Sequence, residues 1–219
     1  MTAGPKCQSR AFGVAAAVAL LISCGGEPPQ TPSTVESVTP VVVVLGDSLT
    51  AGTGLRSEEA YPALLQQRAR AAGYRHVFRN AGVSGDTTAN AVRRLDAALV
   101  PDTRVLVVAL GANDGLRGVP IATIRLNLET IIGRAQSRSI RVLLCGMETP
   151  PIHGWQYSID FHRLFPELAG RTGVPLVPFL LLGVAGDPDY NLGDRVHPNA
   201  AGMRIMADTI WPYLEPLLK

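Results

Sequence analysis

Apolar positions in this chain gather into short runs set apart by longer stretches of mixed residues, and that spacing is its main structural signal. Residues 41–45, 76–79, 104–110, 140–144 and 174–177 read as strands. The first and third are unbroken and β-branched rather than alternating, which marks strands buried on both faces. Between the strands, helical patterns occupy residues 61–72, 88–99, 121–137 and 158–171. A last helix is expected over residues 200–217, where Ala201, Ile205, Ala207, Ile210 and Leu214 recur at roughly helical spacing. Pro198 suits the start of that helix, and Pro212 is expected to kink or end it. Strand alternating with helix predicts an α/β fold: a parallel sheet covered on both faces, a three-layer α/β/α sandwich.

Polar residues at the ends of these runs supply the candidate chemistry. The first strand runs into Gly46-Asp47-Ser48-Leu49-Thr50, so Ser48 falls at a carboxyl end, where open α/β sheets place their sites. Serine is a weak nucleophile until a base takes its proton, and a His held by a carboxylate supplies such a base. Asp194-Arg195-Val196-His197-Pro198 offers both groups three residues apart on one loop. Alone, a Gly-Asp-Ser is as readily a turn or a helix cap, since Asp and Ser both satisfy free N–H groups.

Two further blocks shift that balance. Asn80-Ala81-Gly82-Val83-Ser84-Gly85-Asp86-Thr87-Thr88 follows a strand and opens a helix, and Gly85 stands where free N–H groups can receive developing negative charge. Gly111-Ala112-Asn113-Asp114-Gly115 follows another strand, and the Asn113 amide there suits a second oxyanion donor. Each block alone also reads as an Asx or glycine turn.

Taken together, the GDSL block at Gly46 to Leu49, the Gly85 block, the GxND block at Gly111 to Asp114 and the DxxHP block at Asp194 to Pro198 resemble, in order and spacing, the SGNH (GDSL) hydrolases. The resemblance spans about residues 41–218 and is nearest the acyl-CoA thioesterase, lysophospholipase and arylesterase branch. It implies a flavodoxin-like, five-stranded parallel sheet in the order 2-1-3-4-5. It also implies Ser48 as nucleophile, His197 as base, Asp194 as its orienter, and an oxyanion hole made by the Ser48 N–H, the Gly85 N–H and the Asn113 side chain. No G-x-S-x-G elbow is present, which argues against the larger α/β-hydrolase class.

The amino-terminal segment bears on where the chemistry takes place. Lys6 and Arg10 precede an apolar run over residues 11–22 that is too short to span a bilayer and suits an export signal. Leu21-Ile22-Ser23-Cys24 resembles the bacterial lipobox, which implies cleavage before Cys24 and lipidation of its thiol. An ordinary secretory signal with an accidental cysteine is the alternative, because Ser23 also satisfies simple cleavage. Residues 24–40, rich in Pro, Gly, Ser and Thr, read as a flexible tether with too little apolar surface to offset ordering entropy. The organisation expected is a signal over 1–23, a tether over 24–40 and one hydrolase domain over 41–219, exported and lipid-anchored at the bacterial cell envelope.

Composition narrows the remaining classes. The formal charge of +2 resides in Lys6 and Arg10, and residues 24–219 hold 18 basic and 18 acidic side chains. Dispersed basic residues and sparse aromatics leave no nucleic-acid footprint. Cys145, left without an intramolecular partner, reads as a buried small hydrophobe. His76, His153 and His162 read as surface or loop residues rather than metal ligands, and the implied chemistry calls for neither metal nor cofactor.

The function expected is a serine esterase acting on acyl esters, lysophospholipids and thioesters through an acyl-enzyme. A carbohydrate O-deacetylase of the same superfamily is one alternative, and a non-catalytic envelope binding protein is another. The segment from Gly146 to Trp155, with its Met, Ile and Trp, reads equally as acyl-pocket wall or as structural loop.

Overall fold

The structure is a computed structural model and describes residues 1, 2, 4, 13 and 39–219. The chain divides into two compact units, Met1–Glu36 and Ser37–Lys219. Cys24 and most of the first unit lie outside the described residues. Every strand and α-helix among the described residues belongs to the second unit.

In chain order these elements are β1 (Val41–Gly46), α1 (Ser48–Ala51), α2 (Tyr61–Ala71), β2 (Val77–Gly82), α3 (Thr88–Ala98), β3 (Thr103–Ala109), α4 (Ala112–Leu116), α5 (Ile121–Gln136), β4 (Arg141–Cys145), α6 (Trp155–Thr172), β5 (Leu176–Val177) and α7 (Ala200–Leu214). All five strands are parallel, in the order β2-β1-β3-β4-β5. From β1 the chain first adds β2 on one side and then crosses to β3 on the other. The carboxyl ends of β1 and β3 therefore flank the point where strand order reverses, the crevice in which such sheets hold their ligands.

Burial explains the unbroken apolar runs. Val42 to Leu45 and Val105 to Ala109 are fully buried because helices cover both faces. One helical layer pairs α2 with α7, and the other places α5 between α3 and α6. At the edge, β2 exposes much of its length, which accounts for its polar composition.

Several expectations shift in detail. β2 continues three residues beyond the expected Arg79, through Asn80, Ala81 and Gly82, because these pair with Val44, Leu45 and Gly46. Pairing with a buried neighbour overrides their weak strand propensity. α6 begins at Trp155, earlier than its apolar pattern suggests, and continues through Pro166. α7 likewise runs through Pro212 to Leu214 before a 3-10 turn, Glu215–Leu218. Its start is capped by Asn199, whose side chain accepts from the Ala201 and Gly202 N–H groups, so Pro198 lies just outside the helix.

Not every side chain lies where its type suggests. His76 is buried rather than on the surface, with burial holding its imidazole below the usual histidine range. Cys145 ends β4 fully buried, and desolvation pushes its thiol up to about 12. Among the described residues no helix is long and apolar enough to cross a membrane.

Candidate active site

Two glycines allow the Ser48 turn to fold tightly over the sheet. A Cβ on Gly46 would stand 1.9 Å from Thr50 Oγ1, and one on Gly82 would stand 2.3 Å from the Ala51 nitrogen. Only residues without a side chain let α1 sit this close to the ends of β1 and β2. Asp47 caps α1 by accepting the Leu49 N–H at 3.0 Å. Thr50 anchors it from within, sharing a 2.6 Å hydroxyl bond with the buried Tyr61 and accepting from Asn80 Nδ2 through its carbonyl at 2.8 Å. Ser48, the first residue of α1, is thereby fixed with its hydroxyl at the switch point.

The loop before α7 brings His197 and Asp194 to it. Ser48 Oγ lies 3.0 Å from His197 Nε2, and His197 Nδ1 lies 2.7 Å from Asp194 Oδ2. The other carboxylate oxygen of Asp194 accepts the Val196 and His197 main-chain N–H groups at 2.9 and 3.0 Å. These bonds close an Asx turn in which Arg195 adopts φ +58°. The His197 main-chain N–H, with its ring and the Val196 N–H, holds the Asp194 carboxyl well below the usual carboxylate range. An ionised acceptor at Nδ1 places the imidazole proton there, leaving Nε2 free to take the Ser48 proton.

The third component lies between the ends of β2 and β3. Val83 to Asp86 form a turn closed by the Asp86 N–H on the Val83 carbonyl at 3.1 Å, with Gly85 at φ +82°. A turn of this kind leaves its central peptide without an internal partner, and the Gly85 N–H meets no acceptor among the described residues. The Ser48 N–H, in the first turn of a helix, has no intrahelical acceptor either. From α4, Asn113 Nδ2 donates to the Asp86 carbonyl at 3.0 Å and approaches Asp47 Oδ2 at 3.3 Å. Its neighbour Asp114 points elsewhere. That buried carboxylate accepts the Thr88 N–H and hydroxyl at 2.9 and 2.7 Å and so fastens α4 to the start of α3.

Ser48, His197 and Asp194 thus form one hydrogen-bonded series at the carboxyl ends of the strands, with Asn113 and the Gly85 turn joined to each other beside it. Sequence reasoning misses three of their supports. Asp47, in sequence only part of a turn motif, is fully buried behind Ser48, and desolvation raises its carboxyl from 3.8 to about 6. Asp86 and Arg94 form an ion pair beneath the Gly85 turn. Nothing in the order of residues signals these contacts, because each depends on strands and helices meeting in space. Among the described residues no group of three His, Cys, Asp or Glu side chains is placed to hold a metal ion.

The segment after β4 divides its roles. Met147 joins the core, whereas Ile152 and Trp155 are 61% and 75% exposed. Trp155 therefore lines no closed pocket. His153 Nε2 meets the Leu116 carbonyl at 3.0 Å, which sets this segment against the end of α4, three residues from Asn113.

A hydroxyl, an imidazole and a carboxylate in series, beside free N–H donors at the switch point of a parallel sheet, is the arrangement by which serine hydrolases attack acyl groups. Residues 44–205 match the GDSL-like Lipase/Acylhydrolase family. The chain is 38% identical over 186 residues to Esterase TesA of Pseudomonas aeruginosa, covering 84% of this chain and 92% of that protein. It is 33% identical over 178 residues to Thioesterase 1/protease 1/lysophospholipase L1 of Escherichia coli strain K12, covering 81% of this chain and 84% of that one. The crystal structure of the psychrotrophic esterase EstA from Pseudoalteromonas sp., inhibited by monoethylphosphonate, superimposes with a TM-score of 0.77 at 34% identity over 81% of this chain and 98% of its own. The chain belongs to the GDSL-like lipase/acylhydrolase family, a group of SGNH hydrolases, and is an ester-hydrolysing enzyme.

Proposed function

We propose that Ser48 is the nucleophile of a two-step acyl transfer. His197 Nε2 takes the hydroxyl proton as Ser48 Oγ bonds to the ester carbonyl carbon, and the carbonyl π electrons move onto oxygen. The oxyanion is held by the N–H groups of Ser48 and Gly85 and by Asn113 Nδ2. As it collapses, the C–O bond to the alcohol breaks and His197 returns its proton to the leaving group. Water, deprotonated by His197, then attacks the acyl-enzyme and releases the carboxylic acid. The observation that carries this reading is the unbroken series from Ser48 Oγ through His197 to Asp194, at 3.0 and 2.7 Å.

The proposed substrates are carboxylic esters of apolar acyl groups, lysophospholipids among them, with thioesters as further substrates. Leu116, Ile152 and Trp155 expose apolar surface beside α4, which favours a hydrocarbon chain over an acetyl group. One relative carries thioesterase and lysophospholipase in its name, which supports this choice. We further propose that residues 1–23 are a lipoprotein signal, that Cys24 carries the lipid, and that residues 24–40 tether the enzyme at the bacterial cell envelope. Incorporation of a fatty-acid label that is lost in Cys24→Ala tests the anchor, and an unlabelled wild-type protein refutes it.

A fluorophosphonate probe tests the nucleophile. One adduct on the Ser48-containing peptide, lost in Ser48→Ala and slowed in His197→Ala, is expected. An unlabelled Ser48 in folded, wild-type protein would overturn the assignment.

A further inference from the structure

The Ser48 turn and the Gly85 turn follow different strands, and catalysis as proposed depends on their mutual position. Main-chain pairing between β1 and β2 ends with the Val83 N–H on the Gly46 carbonyl at 3.0 Å, before either donor is reached. Past that bond, side chains hold the two turns together.

Two side chains touch both, Asn113 through the Asp86 carbonyl and Asp47 Oδ2, and Arg94. Arg94, on α3, donates Nε to Asp86 Oδ2 at 2.5 Å and Nη2 to the Gly46 carbonyl at 2.9 Å. Gly46 lies two residues before Ser48, and Asp86 one residue after Gly85. A single planar guanidinium thus spans the nucleophile turn and the oxyanion turn with two donors in a fixed relation. The pair is shielded from water, with side chains 24% and 8% exposed, so its geometry is far better held than that of a surface ion pair. Asn113 Nδ2 grips the carbonyl of the same Asp86 from the other side. Two more links, Arg117 Nη2 to the Gly85 carbonyl at 3.2 Å and the Thr53 hydroxyl to that of Ser84 at 2.7 Å, lie in exposed positions.

We propose that Arg94 is a positioning residue of the ester-hydrolysing reaction, setting the Gly85 N–H at the correct distance from Ser48 by bridging Asp86 and the Gly46 carbonyl. The inference rests on the roles proposed above for Ser48 and Gly85. Arg94 touches no reacting atom. Its loss lets the oxyanion turn drift, which weakens a hydrogen bond formed fully only in the transition state, so kcat falls while KM changes little. Lysine in its place keeps the charge but offers one point donor for two acceptors.

The test is steady-state hydrolysis of p-nitrophenyl butyrate by wild type, Arg94→Lys, Asp86→Asn and the double variant, well below the unfolding temperature of each. Each single variant is expected to lose about 10- to 100-fold in kcat, with KM within about twofold, the range for a misplaced oxyanion donor. The double variant should be no worse than about the poorer single one, because both changes break one bridge. Should Arg94→Lys fail to fold, Asp86→Asn, nearly isosteric, makes the same comparison. An unchanged kcat in a folded variant, or a loss carried by KM, would overturn the inference. Ser48→Ala is run in parallel: wild-type turnover that persists in it would refute the functional reading, whereas serine-dependent turnover with unchanged kcat in the variants refutes the positioning role alone.

Discussion

Asn113 Nδ2 stands 3.3 Å from Asp47 Oδ2, so the amide proposed for the oxyanion hole leans on a buried carboxylate directly behind Ser48. Its shorter bond, 3.0 Å to the Asp86 carbonyl, fixes the amide plane. The longer contact exceeds the usual N–H···O range and is weak, so that hydrogen can pass to a stronger acceptor at little cost. An oxyanion is such an acceptor. Asn113→Ala should therefore lower kcat about 10²- to 10³-fold with a small change in KM, measured on p-nitrophenyl esters. An undiminished rate would remove Asn113 from the oxyanion hole.

Asp47 also makes stability depend on pH. Its folded pKa of about 6 lies above its ordinary 3.8 because burial opposes ionisation, so between about pH 4 and 6 the native state holds a proton that the unfolded chain has released. Stability contributed by this group is present below that window and is lost as pH rises through it, by roughly 3 kcal/mol. Asp47→Asn should flatten that slope, which denaturant midpoints at pH 4.5 and 7.5 would show. An equal fall between those pH values in wild type and variant would contradict the assignment.

In the proposed mechanism Asp194 acts through the proton on His197 Nδ1. An asparagine there can donate to Nδ1 and so favours the tautomer with its proton on Nε2, which cannot accept from Ser48. Asp194→Asn should cut kcat on the order of 10³–10⁴-fold while the protein still binds ester. Activity within about tenfold of wild type would show that the carboxylate is dispensable for orientation.

Trp155 opens α6 and stands in solvent, so the effect expected from the proposed acyl preference is confined to chain length. Trp155→Ala should reduce kcat/KM on octanoyl relative to acetyl esters by about tenfold, the value of two methylenes' worth of contact. Unaltered ratios would remove Trp155 from substrate selection.

The sheet was legible because a parallel sheet covered on both faces forces unbroken apolar runs, and Val42 to Leu45 and Val105 to Leu110 show them plainly. Ser48, Gly85, Asn113, Asp194 and His197 were legible because each stands in a short block at the end of a strand or before a helix. The four-residue α1 and five-residue α4 were not, since helices that short carry no periodicity. Strand β2 was foreshortened because Asn80, Ala81 and Gly82 gain their strand character from β1 alone. Arg94 carries no signal in the sequence for a similar reason: its partners Gly46 and Asp86 belong to other elements, and only the folded chain brings the three together.

In the proposed mechanism Ser48, activated by His197, hydrolyses acyl esters. The most direct test is hydrolysis of p-nitrophenyl esters from acetyl to palmitoyl by the purified protein, beside Ser48→Ala. Turnover that disappears in the variant and peaks at medium or long chains is the predicted result. Wild-type protein with no serine-dependent turnover on any ester would contradict the assignment, and activity on acetyl alone would contradict the apolar-acyl reading and move the substrate to acetylated carbohydrate.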